Sequence, residues 1–464
     1  MSLTELAFWI AYVAGTGAAV FNPAAGVALY VVVYHLNPEY QWWGTGLRAL
    51  GLRTSLTVAA AIAIGILVRR PRLLHGARQF PLAMILAILL GIIAAGTLVW
   101  GLGTVERSEY QAVKFAKLLV LLLILIRCIR TPTQYHAVIL AWLLGVLYLG
   151  YQAQGGAGHT EVGRLTGGIG GPDFTDSSGL AVHLVATLPL VGAVFFMART
   201  WWGRAFALVT GALAVNTIIM TRTRNVLVGL AGLAVVSVLS LPRGYRVKGL
   251  AAVVVGTLLA VQLTDPAWWQ RMSTVNTYQQ DPAITNRFVY WRAALQMARD
   301  YPFGIGLGNF HYKVMEYVPG LTITRSAHNT LLTCLAELGW LGLLLFLGVL
   351  GVTLTRLTQV RRMALELPEH AQIRFYRWTT RFHLGWHATA LRMALVGYLG
   401  CALFTTRLFA EDLWLLLGLA ACLHNVAKHQ AGEREHATAP ERAPAPLLNA
   451  PLPVALPALE SSQG

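Results

Sequence analysis

Few side chains in this sequence pair useful chemistry with a position from which to use it. His328, in Arg325-Ser-Ala-His328-Asn329, stands where a polar stretch meets the apolar run TLLTCLAELGWLGLLLFLGVL. An imidazole at such a boundary can exchange a proton with a hydroxyl near neutral pH. The same placement also suits a histidine that only caps a helix at an interface. Arg222 and Arg224 in MTRTRNVL, Arg287 in NRFVYW, and Arg325 beside His328 supply guanidinium groups. Guanidinium matches phosphate oxygens in charge and geometry, so these four point to an anionic ligand. Arginines reaching to lipid phosphates are the plainer alternative for any one of them. Asp173 and Asp176, in GGIGGPDFTDSSGLA, have the DxxD spacing of a metal-diphosphate site. That string reads better as a glycine-rich loop ending in a helix cap at Asp176 or Ser177. Glu411 and Asp412 read as solvated carboxylates in a turn, though either could orient a histidine or an arginine.

The elements that position these groups are helices in a bilayer. Of 464 residues, 56% are hydrophobic and 12% charged, with a mean hydropathy of +0.57. A soluble domain has about 25% charged residues, so a soluble globular protein is excluded. The expected fold is an all-α polytopic membrane protein with roughly twelve or thirteen transmembrane helices. Apolar runs lie near 5–21, 24–36, 54–68, 80–101, 115–130, 136–151, 178–198, 205–220, 225–240, 249–263, 328–354, 389–407 and 412–427. Asn22-Pro23 breaks the first two, because proline lacks an N–H and clashes with the preceding turn. The formal net charge is +16. Its basic clusters, at Arg69 to Arg78, Arg127 and Arg130, Arg199 and Arg204, Arg243 to Lys248, and Arg356 to Arg392, fall in alternate loops. Lys and Arg are held on the cytoplasmic side, so these loops are expected there. The loop of about 264–327 and the turn at 221–224 then face the other side, which is the periplasm where the cell is a Gram-negative bacterium, and a cytoplasmic loop covers about 355–388.

The resulting organisation is a single helical domain over 1–429 and a Pro/Ala-rich, disordered cytoplasmic tail over 430–464. Within the 264–327 loop, NRFVYWRAALQMARDYP places Phe288, Trp291, Leu295 and Ala298 on one face of a helix, as expected for an amphipathic helix on the membrane surface. The string Gly304-Ile-Gly306-Leu-Gly308 follows no strand and opens no βαβ unit, so a dinucleotide site is not expected and its glycines allow a tight turn or close backbone approach to a ligand. The four cysteines, Cys128, Cys334, Cys401 and Cys422, show no metal-ligand spacing and read as buried apolar residues. No nucleotide, metalloprotease or serine-hydrolase motif is present.

Taken together, the short turn with Thr223-Arg224, Arg287 and Trp291 leading to Pro302 and Gly304-Ile-Gly306-Leu-Gly308, and Ala327-His328-Asn329 ahead of Glu337-Leu-Gly339 form a recognisable series. The chain resembles the O-antigen ligase and polymerase superfamily of bacterial membrane glycosyltransferases. Its segment FNPAAGVALYVVVYHLNPEYQWWG and the RLTGGIGGPDFTDSSGLA loop look most like the exosortase-associated O-glycosylation ligase branch. The resemblance implies an inverting, metal-independent transferase in the inner membrane with its active site on the periplasmic side. It would take a glycan from undecaprenyl diphosphate to a hydroxyl of lipid A core, polysaccharide or protein. His328, Arg224 and Arg287 match the family's catalytic positions, with Arg222 and Arg325 as further diphosphate-binding candidates. Asn225 departs from the glycine that often follows the arginine of the short turn. The donor carries its own activation, so no cofactor is expected, and nothing calls for a nucleic acid. A polysaccharide polymerase of the same superfamily and a flippase for lipid-linked glycans are the alternatives. Transporters place ionisable groups near the midplane of broken helices, whereas the ionisable residues here gather at one face.

Overall fold

The computed structural model describes residues 2–68, 82–101, 105–159, 164–167, 169–174, 176–241, 243–264, 268–269, 282–321, 324–366, 374–375 and 381–438. The Arg69 to Arg78 cluster, the stretch 270–281 and the tail from 439 lie outside them. Contacts divide the chain into Met1–Ala427 and Lys428–Gly464. In the latter, residues 428–438 are helical.

The chain forms helices α1 (Leu3–Phe21), α2 (Pro23–Leu36), α3 (Thr45–Ala49), α4 (Thr54–Val68), α5 (Leu82–Trp100), α6 (Val105–Cys128), α7 (Pro132–Gln154), α8 (Ser177–Met197), α9 (Trp201–Thr221), α10 (Asn225–Ser240), α11 (Arg246–Leu263), α12 (Pro282–Asp300), α13 (Phe310–Tyr317), α14 (Thr330–Glu366), α15 (Leu384–Ala402) and α16 (Glu411–Thr438). A two-residue antiparallel ladder pairs Arg374 with Phe382 and Phe375 with Arg381. Asn22 and Pro23 separate α1 from α2: the Asn22 side chain accepts from the Ala25 N–H, and Pro23 occupies the first helical position, where a missing donor does no harm.

Six described helices, α1, α5, α7, α8, α9 and α14, are long and apolar enough to cross a membrane, and α4 and α10 are shorter apolar helices. This falls short of the roughly twelve or thirteen spans that apolar runs suggest. The reasons are local. Helix α2 has 14 residues, and α6 begins with Glu106, Arg107, Glu109, Lys114 and Lys117 before its apolar half. Helix α14 continues to Glu366, well into the stretch expected to be a loop from 355.

Helix α8 is apolar on every face, which suits the centre of a bundle. It packs against α9 and α15 and also touches α7 and α10. Helices α10 and α15 approach through small residues, with Gly229 against Gly397, Gly400 and Cys401. Helix α14 lies against α5 and α15. A second, smaller apolar cluster joins α12 and α13 to the start of α14 through Tyr290, Ala293, Met297, Phe310, Val314, Ala327 and Ala336.

Helix α12 forms where the spacing predicts a helix, with small residues packed against the protein and Phe288 and Leu295, read as its membrane-facing side, left exposed. Tyr290, Ala293, Ala294, Met297 and Ala298 are buried, whereas Phe288 and Leu295 are 55% and 45% exposed. The small alanines face the protein because they let the helix approach α14 closely, and the large apolar residues are left outside.

Candidate functional site

Two of the three non-glycine residues with positive φ among those described are candidates from the sequence, His328 (φ 48°) and Arg222 (φ 50°). A left-handed conformation costs an L-residue energy and persists only where surrounding bonds fix it. At His328 those bonds are visible. The Asn329 side chain accepts from the N–H groups of Leu331 and Leu332, each at 3.0 Å, and so caps α14. On the other side, Trp291 Nε1 of α12 donates to the Ala327 carbonyl at 2.9 Å. Thr330 Oγ1 donates to the Thr405 carbonyl at 2.8 Å. The imidazole is thus held on a backbone pinned from both directions. Burial, with the positive charges of Arg287 and Arg325 beside it, lowers its pKa to about 4, and Asp176 acts in the opposite sense. His328 is therefore a neutral imidazole, able to accept a proton, across the physiological range.

Arg222 ends α9, and Arg224 stands immediately before α10. A third arginine joins them. Arg164 donates from Nε to the Thr221 carbonyl at 3.2 Å and from Nη2 to Ser177 Oγ at 3.4 Å. Burial and the charges of Arg222 and Arg224 lower its pKa. Asn225, the departure from the expected glycine, donates from its side-chain amide to Ser178 Oγ at 2.9 Å, so it ties the Arg224 turn to α8. Asp176 caps α8 by accepting from the Gly179 N–H at 2.8 Å and lies within electrostatic reach of His328. The Arg222–Arg224 turn is therefore tied to the first turn of α8 through Arg164 and Asn225, and His328, on which Arg287 and Arg325 act, lies within electrostatic reach of the Asp176 cap.

The glycine string has a concrete job. Ile305 and Gly306 donate backbone N–H groups to the carbonyls of Ala336 and Glu337, and Trp340 donates to that of Pro302. Gly304, Gly306, Gly308 and Gly339 all have positive φ, and Gly339 marks a break within α14. A Cβ on Gly304 would strike the backbone of Glu337 and Gly339, and one on Gly339 would strike Pro302 and Phe303. The loop then folds its Gly308 and Phe310 N–H groups onto the buried Glu337 carboxylate, near Arg107. The close approach, expected toward a ligand, is made instead to the protein's own backbone and carboxylate.

Asp173 is drawn into the bundle. Its carboxylate meets Lys114 Nζ at 3.0 Å, the Tyr34 hydroxyl at 3.2 Å and the Glu411 N–H at 2.6 Å. Asp173 and Asp176 thus serve a buried network and a helix cap, as the capping reading of that loop expected for Asp176. Asp412, read from sequence as solvated, is fully buried. It accepts from Arg407 Nη2 at 2.9 Å and from the Tyr398 hydroxyl at 2.8 Å, and lies 3.4 Å from His183 Nδ1. His183 in turn contacts His35 at 3.1 Å between Nε2 atoms. Arg164, Arg407, Lys114 and Glu337 were missed as candidates. Glu337 and Arg407 carried a signal, each being a charge next to or inside an apolar run, where charges are costly unless paired.

Residues 206–347, from within α9 into α14, match the family model described as O-antigen ligase. No curated protein matches the chain.

Proposed function

From membership of the O-antigen ligase superfamily, which the match over residues 206–347 supports, we propose that this multi-pass membrane protein is a glycosyltransferase. It moves a glycan from undecaprenyl diphosphate to an acceptor hydroxyl at the periplasmic face of the inner membrane. The observation that carries this reading is the gathering of a neutral, backbone-pinned imidazole and several arginines at one helix end.

In the proposed reaction His328 takes the proton of the acceptor hydroxyl while its oxygen bonds to the anomeric carbon. The bond from that carbon to the diphosphate oxygen breaks on the opposite face, which inverts the centre. Negative charge grows on the departing diphosphate, and Arg224 and Arg287, with Arg222 and Arg325, stabilise it in this reading. Guanidinium groups supply the balancing positive charge without a metal ion. An imidazole with a pKa of about 4 is a weak base. The donor's diphosphate offsets the arginine charges that depress it, so base strength rises when the donor is bound.

The test is transfer from an undecaprenyl-diphosphate-linked glycan in reconstituted membranes containing chelator. Arg224→Ala and Arg287→Ala are each expected to lower turnover by about 10² to 10³-fold. Turnover near wild type in both variants would remove the arginines from the mechanism. Translocation of the donor without transfer would replace the enzyme by a flippase, and products with repeating glycan units would replace ligation by polymerisation.

A further inference from the structure

Arg407 lies in no candidate set drawn from the sequence, yet it touches both the loop that leads into α8 and the start of α14. Its guanidinium is fixed in three directions: Nη1 donates to the Asp173 carbonyl at 2.7 Å, Nη2 to Asp412 at 2.9 Å and Nε to the Tyr398 hydroxyl at 3.3 Å. Its backbone N–H donates to Thr330 Oγ1 at 2.9 Å. Asp173 lies three residues before Asp176, the cap of α8, and Thr330 lies two residues after His328. Gly179, in the first turn of α8, leaves room for the guanidinium, since a Cβ there would meet Arg407 Nη1 and the Asp173 carbonyl. One buried residue therefore fastens the loop that carries Asp176 and Ser177 to the start of α14.

We propose that Arg407 is a positioning residue that sets His328 against the first turn of α8. The proposal rests on the functional reading above only for its kinetic consequence. A buried ion pair is a poor way to stabilise a fold, because desolvation offsets most of its attraction. What it supplies here is direction. A planar fork reaches three acceptors on three segments at once, which the single nitrogen of lysine does not do. The strained backbone at His328 needs such outside bonds to hold it.

Two variants test the proposal in the full-length protein in membranes. Arg407→Lys keeps the charge beside Asp412 and loses the fork. Thr330→Val keeps the guanidinium and removes the tie of the Arg407 N–H to α14 together with the Thr330–Thr405 bond, which gives a second route should the lysine variant fold poorly. With the donor absent, hydrogen exchange of the amides from Ser326 to Thr333 is expected to quicken in both. Unchanged exchange in both would overturn the proposal. In the transfer assay, each variant is expected to lower kcat by about 10²-fold at nearly constant donor KM. The double variant His328→Ala/Arg407→Lys should be no slower than His328→Ala alone. Multiplying losses would mean that Arg407 acts independently of His328, and the proposal would fall. If the wild-type protein transfers no glycan, the functional reading fails, and the exchange measurement still decides the role of Arg407.

Discussion

At His328 a single side chain combines a left-handed backbone, a fixed helix cap on one side and two nearby guanidinium groups. Its protonation sets the acid side of the reaction. The free-enzyme rate, kcat/KM, is expected to stay level from pH 8 down to about pH 5.5 and to fall as the pH drops through about 4, where the imidazole gains its proton. Arg287→Gln removes a positive charge from its surroundings, so the fall should move to higher pH. A limb near the ordinary histidine value of about 6.5 in the wild type would contradict the environment described here. In the sequence His328, Arg222, Arg224 and Arg325 stand out as candidates beside apolar runs, and Arg287 near the start of an amphipathic helix. Arg164 does not, because its importance comes from meeting Thr221 and Ser177, 57 and 13 residues away.

Among the elements, the break in α14 and the glycine string opposite it form one unit. Backbone from Pro302 to Gly306 pairs with backbone from Ala336 to Trp340, and neither side has space for a Cβ at Gly304 or Gly339. Gly339→Ala is expected to destabilise the protein by about 1 to 3 kcal/mol through its positive φ alone, with the clash adding to this. A thermal unfolding midpoint unchanged from wild type would show that the loop is not held as described. The sequence revealed the helices and the demand for close approach, since glycines at alternate positions free the backbone to lie against a neighbour where no side chain fits. It did not reveal what was approached, because Glu337 lies about thirty residues further along. On α12 the exposed Phe288 and Leu295 agree with an apolar side turned away from the protein, while Ala298, assigned to that same side, is buried.

Across the molecule, the apolar composition and the alternation of basic loops made a polytopic membrane fold legible. The number of spans was not, because helices such as α6 mix charge with apolar residues in one element. The buried network was legible least of all. Asp173, Asp412, Arg407, Lys114 and His183 come from separate stretches of chain, and each by itself looks like an ordinary loop or span residue. Their assembly keeps charge inside an apolar bundle and holds together the segments bearing His328 and Asp176. The central claim is that this assembly presents His328 as the base in glycan transfer. The most direct measurement is the turnover of His328→Ala with an undecaprenyl-diphosphate-linked glycan in reconstituted membranes. Loss of about 10² to 10⁴-fold, with the variant folded and inserted as the wild type, is the result expected of a general base. Turnover close to wild type would contradict it.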